Sequence, residues 1–257
     1  MKIIKKNIHN LVDNGFSYYP KLISKNQINN LFRSFVSSIN FYLGKNYTFK
    51  NFDDSNLFSI ILENHKTNRG LIKFIYNSLP HFSSTINLFE KSKIRNIASS
   101  HLKTKSQNLI ICEHQFRMDY PQDKKYILKP HQDSPYYPQD ASSNQSLVCN
   151  ISLQNIKKDM GSTILYDQSH KMGVVKYRDK FNKNNLISTQ KHINKNQLNK
   201  FKKVTLETSP GDVSFYDMKL VHSSGLNITN KLRLSIIARI FNPFHKRFNV
   251  FQKKLFY

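Results

Sequence analysis

The spacing of apolar residues changes its period once along this chain, near residue 106, and that change limits the folds open to it. Before it, apolar residues recur every three or four positions. Ile28, Leu31, Phe32, Phe35 and Ile39 fall on one helical face. Ahead of them Ser24 and Gln27 form the S-x-x-Q pattern in which side chain and backbone cap each other, and Gly44 stands where a C-terminal cap falls. DDSNLFSIILENH, GLIKFIYNSL and INLFEKSKIRNIASSHL repeat the helical spacing. After residue 106 the period is two. In LIICEHQFRMDY the alternation predicts Glu113, Gln115 and Arg117 on one face and His114, Phe116 and Met118 on the other. SLVCNISLQ, STILY, DVSFYD, KLVH and LRLSIIARIF are further short strands, separated by turn residues such as the SPGD at 209–212. Helices first and strands afterwards predict an α+β domain in which helices buttress an antiparallel sandwich or barrel.

The 257 residues fit one domain, 1–257, with a helical part over about 1–105 and a strand core over about 106–243. Within that core, residues 175–203 hold nine lysines or arginines and little periodicity, which predicts a long surface insertion. No stretch approaches the roughly 20 apolar residues that cross a bilayer, and the basic start breaks into polar residues too soon for a signal peptide. Two cysteines, Cys112 and Cys149, give neither a disulfide framework nor a CxxC pair. The expectation is a soluble protein of a reducing cytoplasm. A net charge of +24 is the electrostatic footprint of a nucleic-acid or membrane-surface binder. However, the lysines are spread along the whole chain beside abundant Asn, Ile and Phe, as AT-rich coding produces, and there are only eight arginines. A solvated basic surface without specific nucleic-acid recognition is the expected outcome.

KPHQDSPYYP, at 129–138, carries the chemistry. Residues i and i+2 of an extended segment point the same way, so His131 and Asp133 can ligate one metal ion. Such a pair alone is common. A third ligand is offered by His222, at the end of a predicted strand in DMKLVHSSG. Two histidines and one carboxylate on one face of a non-haem iron leave positions open for a bidentate co-substrate and O2. Eleven residues after His222 comes Arg233. In LRLSIIARIF the alternation sets Leu232, Leu234, Ile236 and Ala238 on one face and Arg233, Ser235, Ile237 and Arg239 on the other. An arginine directed to the interior needs an anion, because an unpaired buried charge is too costly. A dicarboxylate co-substrate would supply one.

With these motifs the chain resembles the phytanoyl-CoA dioxygenase family of Fe(II)/2-oxoglutarate-dependent oxygenases, which includes ectoine hydroxylase. DNGFSYYPKLISKNQINNL is similar to the family's opening strand and helix, HQD to its first two ligands, and GSTILYDQSHKMG to its strand-and-turn signature. SPGDVSFYDMKLVHSSGLNITNKLRLSI is similar to the segment bearing the distal histidine and the 2-oxoglutarate arginine. The resemblance implies a double-stranded β-helix (a cupin-like jelly roll) with the N-terminal helices packed on its larger sheet. It implies iron on His131, Asp133 and His222, and 2-oxoglutarate on Arg233, Ser224 and Gln115. Arg117, Tyr137 and Tyr136 would face a small-molecule substrate, for which an anionic metabolite suits the basic surface. The implied reaction uses O2 to hydroxylate an unactivated C–H bond, with succinate and CO2 as co-products. Asp167-Gln168 departs from the family's Pro-Gly before Ser-His, and His170 reads as structural. The carboxylate of Asp133 points away from halogenation, since related halogenases replace it by a small residue. Two rival readings are a basic nucleic-acid-binding protein and a base-repair dioxygenase, whose R-x5-R spacing Arg233 and Arg239 reproduce. Against the latter, Ser235 and Ile237 stand where that group carries Asn and Thr. A binding module with a vestigial metal site is a third rival, opposed by the complete ligand set.

Overall fold

The helical half follows its spacing. After the short α1 (Leu11–Asn14) come α2 (Lys25–Leu43), α3 (Ser55–Thr67) and α4 (Arg69–Ser78) in a computed structural model that describes residues 2–3, 11–124, 127–137, 145–175 and 193–244. Ser24 and Gln27 form the reciprocal capping box at the start of α2, and Gly44 ends the helix in the left-handed region at φ 61°. The single pattern expected over INLFEKSKIRNIASSHL is instead two helices, α5 (Ser83–Phe89) and α6 (Ser92–His101). The buried positions explain the break. Leu88 and Phe89 are followed by Ile94 and Ala98, so the five-residue step from 89 to 94 throws the apolar stripe out of phase.

Strands β1 (Lys2–Ile3), β2 (Phe16–Tyr19), β3 (Ile110–Asp119), β4 (Ser146–Ser152), β5 (Thr163–Tyr166), β6 (Lys203–Thr205), β7 (Val213–Asp217), β8 (His222–Ser224) and β9 (Arg233–Phe241) form two sheets. The larger runs β2-β7-β4-β9-β3 with every neighbour antiparallel, and the smaller runs β1-β6-β5-β8. Facing one another, they make the jelly roll. The alternation along β9 holds: Leu234, Ile236, Ala238 and Ile240 join Phe116, Met118, Cys149 and Phe215 on the outer face of the larger sheet, packed with Leu31, Phe35, Ile61 and Ile75 of the helices. Each fully buried aliphatic or aromatic side chain there contributes roughly 1.5–3 kcal/mol. Between the sheets lies a second, smaller apolar cluster that includes Phe16, Val148, Leu165, Val204, Tyr216 and Phe241. The rest of the inner face of the larger sheet is mainly polar, with Ile237 among its residues, and there the candidate site lies.

Three local expectations are corrected. A β-bulge interrupts β3: its partners on β9 step from Cys112↔Arg239 to Gln115↔Ile237, and Glu113 takes φ 54°. Glu113 therefore does not share the regular alternation of Gln115 and Arg117. The strand expected in KLVH begins only at His222, because Met218 and Lys219 make a turn in which the Leu220 N–H donates to the Asp217 carbonyl at 2.8 Å. Much of the insertion expected over 175–203 falls outside the described residues. Its end is not a loose excursion: Ile193 and Leu198 are buried against Tyr166 and Val221, and β6 begins at Lys203.

Candidate metal centre

His131 and His222 meet through their backbones. The His131 N–H donates to the His222 carbonyl at 3.0 Å and the His222 N–H to the His131 carbonyl at 2.9 Å, which adds the HQD segment to the edge of the smaller sheet beside β8. Both imidazoles are buried, their ring centres 4.3 Å apart. Each has its Nδ1 at a backbone carbonyl two residues earlier, Lys129 at 2.7 Å for His131 and Leu220 at 3.0 Å for His222. A carbonyl only accepts, so each Nδ1 carries the proton and each Nε2 presents a lone pair. Both Nε2 atoms lie 3.6 Å from Oδ1 of Asp133. The three residues can hold one metal ion, with their ligand atoms all within 4.8 Å of one another. Burial lowers the His222 imidazole to about 4, aided by neighbouring His131, which keeps it in the neutral, ligating form. Burial would raise the Asp133 carboxyl, but Arg239 and the two histidines outweigh it and hold the group well below the usual carboxylate range.

Deeper between the sheets Arg233 reaches across from β9. Its Nη1 lies 2.9 Å from Oδ2 of Asp119 and also donates to the Gly161 carbonyl, while Nη2 donates to Thr163 Oγ1 at 3.2 Å. Arg117 takes the same carboxylate bidentately, Nε at 2.8 Å and Nη2 at 2.6 Å. Two guanidinium groups thus share one carboxylate, leaving an excess positive charge in a buried place. The anion expected opposite Arg233 is in the first instance Asp119. Burial pushes the Arg233 guanidinium down against the pull of that carboxylate. Arg233 Nε, Ser235 Oγ and Asn150 Oδ1 are buried without a hydrogen-bond partner, and all three residues stand on the inner side of the larger sheet. Native interiors rarely leave such atoms unpaired, and a ligand is one of the few explanations.

The other predicted residues divide. Ser224 lies on β8 two positions after His222, and its Oγ accepts from the Leu128 N–H at 2.9 Å, leaving its own proton free to donate elsewhere. Gln115 is exposed, with its Oε1 accepting from Arg239 Nη1 at 2.8 Å. Arg117, expected to face substrate, is turned onto Asp119. Tyr137 is buried against Phe241 with the Arg239 guanidinium 5.6 Å over its ring, and half-buried Tyr136 packs on the same cluster. His170 has its Nε2 3.0 Å from the Val12 carbonyl and its Nδ1 buried without a hydrogen-bond partner. Gln168, in the place of the family's glycine, still takes the left-handed φ of 64° that glycine adopts freely. Asp119 and Asn150 escaped the sequence reading, since only strand register brings Asp119 opposite Arg233. The middle residue of HQD also has a role. Gln132 donates to the carbonyls of Gly173 and Lys219 at 2.8 and 2.6 Å and accepts from the Val175 N–H at 2.9 Å, tying down the loop that carries the candidate ligands.

A family model described as phytanoyl-CoA dioxygenase matches residues 63–235, a span containing all three candidate ligands and Arg233. No curated protein matches the chain in sequence. AviO1 from Streptomyces viridochromogenes Tue57 is similar in structure at 14% identity and a TM-score of 0.58, covering 93% of this chain and 95% of that one. The epimerase SnoN, solved with Fe3+, alpha ketoglutarate and nogalamycin RO, is similar at 14% identity and a TM-score of 0.56 over 90% of this chain and 80% of its own. EvdO2 from Micromonospora carbonacea var. aurantiaca, complexed with 2-oxoglutarate, gives 16% identity and a TM-score of 0.58 over 90% and 88%. At these identities the likeness is one of fold, and it agrees with the two-sheet architecture.

Proposed function

The chain belongs to the phytanoyl-CoA dioxygenase family and is a non-haem iron, 2-oxoglutarate-dependent oxygenase, and on that premise we propose that it hydroxylates an unactivated C–H bond of a small molecule. His131, Asp133 and His222 hold the Fe(II), each histidine offering Nε2 because its Nδ1 is spent on a carbonyl. When bound, the iron supplies O2 activation coupled to decarboxylation of 2-oxoglutarate, with succinate and CO2 as co-products. The single observation that carries the reading is the unbalanced charge around Asp119. Arg117 and Arg233 bring two positive charges to one carboxylate, and Arg233 Nε is left without an acceptor. The far carboxylate of 2-oxoglutarate answers both needs. Ser224 can donate its hydroxyl proton to the same carboxylate, and so can Ser235, whose buried hydroxyl is otherwise unpaired. Apolar walls at Tyr137 and Phe241 limit water between the sheets. Exposed Gln115 and half-buried Tyr136 mark the side from which substrate enters. That SnoN is solved with nogalamycin RO supports a small organic substrate for this fold.

Anaerobic titration with Fe(II) and 2-oxoglutarate tests the proposal. A weak visible charge-transfer band of the chelated complex should appear with wild type and vanish with His222→Ala. Succinate release, screened across small-metabolite pools in air, then identifies the substrate. A wild-type protein that gives no band with both additions would sink the reading.

A further inference from the structure

The two carboxylate oxygens of Asp133 are used differently. Oδ1 faces the Nε2 atoms of both histidines at 3.6 Å. Oδ2 accepts two hydrogen bonds from Arg239, from Nε at 3.1 Å and Nη2 at 2.9 Å. Arg239 is held in its turn. Its Nη1 donates to Gln115 Oε1 at 2.8 Å and more weakly to the Glu113 carbonyl at 3.5 Å, and its guanidinium lies over the Tyr137 ring. The bulge in β3 makes this possible. Between Cys112, which pairs with Arg239, and Gln115, which pairs with Ile237, the extra residue and the left-handed Glu113 turn a main-chain carbonyl inward. A buried ion pair is weak evidence of stabilisation, so a guanidinium fixed from four sides calls for another account.

We infer that Arg239 is a positioning residue for the metal. Its Nε and Nη2 together hold Oδ2 of Asp133 so that Oδ1 alone is presented beside the two imidazoles, and Gln115 and the bulged Glu113 carbonyl hold the fork in place. A carboxylate free to rotate would offer both oxygens and occupy a position that co-substrate or O2 requires. The inference rests on the reading of His131, Asp133 and His222 as the metal ligands. Charge and geometry pull in opposite directions at this residue. The positive charge of Arg239 repels a cation, so if charge were its only contribution, removing it would tighten metal binding. If it acts by orientation, removing it loosens binding, as loss of groups that orient metal ligands typically does by about 10- to 100-fold.

The experiment is Co(II) titration of the full chain without co-substrate, read by the visible d–d spectrum, with thermal melts to show that each variant is folded. Arg239→Met and Arg239→Lys should both bind Co(II) about 10- to 100-fold more weakly and with an altered spectrum, because lysine keeps the charge but not the fork. A lysine variant with wild-type affinity and spectrum, or a methionine variant that binds more tightly, overturns the inference and leaves the metal site standing. Failure of wild type to bind Co(II) at all overturns the underlying reading together with it. Should neither Arg239 variant fold, Gln115→Ala decides, since that position is exposed. Several-fold weaker Co(II) binding supports the inference, and wild-type affinity and spectrum overturn it.

Discussion

His131 and His222 exchange two backbone hydrogen bonds, at 3.0 and 2.9 Å, so the site's two imidazoles are brought together by main chain and not by the ion they would share. The frame should therefore outlast the loss of either side chain. His222→Ala should remain cooperatively folded, with a stability loss in the usual range of about 0.5–3 kcal/mol for one substitution. What it should lose is the response to metal. An ion that binds only the folded state adds about 2.7 kcal/mol when present at a hundred times its Kd. Thermal melts with and without Mn(II) under nitrogen check this. The wild-type midpoint should rise with the metal, and the variant midpoint should not move.

The candidate ligands are legible because their signal is local. His131 and Asp133 are two positions apart, with Asp133 already turning into the 3-10 turn that follows, His222 ends an apolar run, and Arg233 interrupts an alternation whose other members belong to the core. The helices of the first half were legible for the same reason, down to the capping box at Ser24. What stayed hidden depends on pairing between distant segments. Asp119 becomes the partner of Arg233 only because β3 and β9 pair in one register. The Glu113 bulge is invisible in LIICEHQFRMDY, whose residues alternate without a glycine to mark it. β6 is three residues long and follows a run of lysines, too short for any period to show.

His101, the last residue of α6, makes the stability of the fold acid-sensitive. Burial at the end of α6 lowers its imidazole to about 4. An unfolded histidine titrates near 6.5. Between these values the unfolded chain binds the extra proton and the folded one does not, so this contribution is complete above about pH 6.5 and is lost as pH falls towards 4. His101→Gln removes the titration. Urea midpoints measured at pH 7.5 and pH 4.5 should lie closer together for the variant than for wild type. An unchanged difference would show that His101 takes no part in the acid response.

The charge of +24 should not make the chain a specific nucleic-acid binder. Its lysines attract any polyanion, and such binding is governed by counterion release, so log affinity should fall steeply and linearly with log salt. Fluorescence anisotropy with duplex and single-stranded probes of differing sequence, at about 50 and 200 mM salt, reads both slope and selectivity. Binding of all probes alike, lost at the higher salt, is the expected result. Preference for one sequence or for a damaged base at the higher salt would favour the base-repair reading, with Arg233 and Arg239 as its R-x5-R pair.

Arg233 separates co-substrate binding from folding, and its neighbour Asp119 makes the test two-sided. Arg233→Ala takes away the guanidinium whose Nε is unpaired, but leaves Asp119 held bidentately by Arg117. The apolar face of β9 (Leu234, Ile236, Ala238) is untouched. Losing one partner of a desolvated charge pair typically costs about 2–5 kcal/mol, or roughly 30- to several-thousand-fold in affinity. 2-Oxoglutarate binding should weaken by that range while the Co(II) affinity of the His131–Asp133–His222 site stays close to wild type. Arg233→Lys should recover part of the loss, since it keeps the charge without the fork. Asp119→Asn should do the opposite. Buried Arg233 and half-buried Arg117 then lack their carboxylate, so the protein alone should be destabilised by up to about 3–5 kcal/mol, and added 2-oxoglutarate should restore more stability to this variant than to wild type. Calorimetric titration and melts with and without the co-substrate measure both effects. If Arg233→Ala binds 2-oxoglutarate normally and Asp119→Asn gains nothing from it, the co-substrate carboxylate lies elsewhere and the Arg117–Asp119–Arg233 cluster is purely structural.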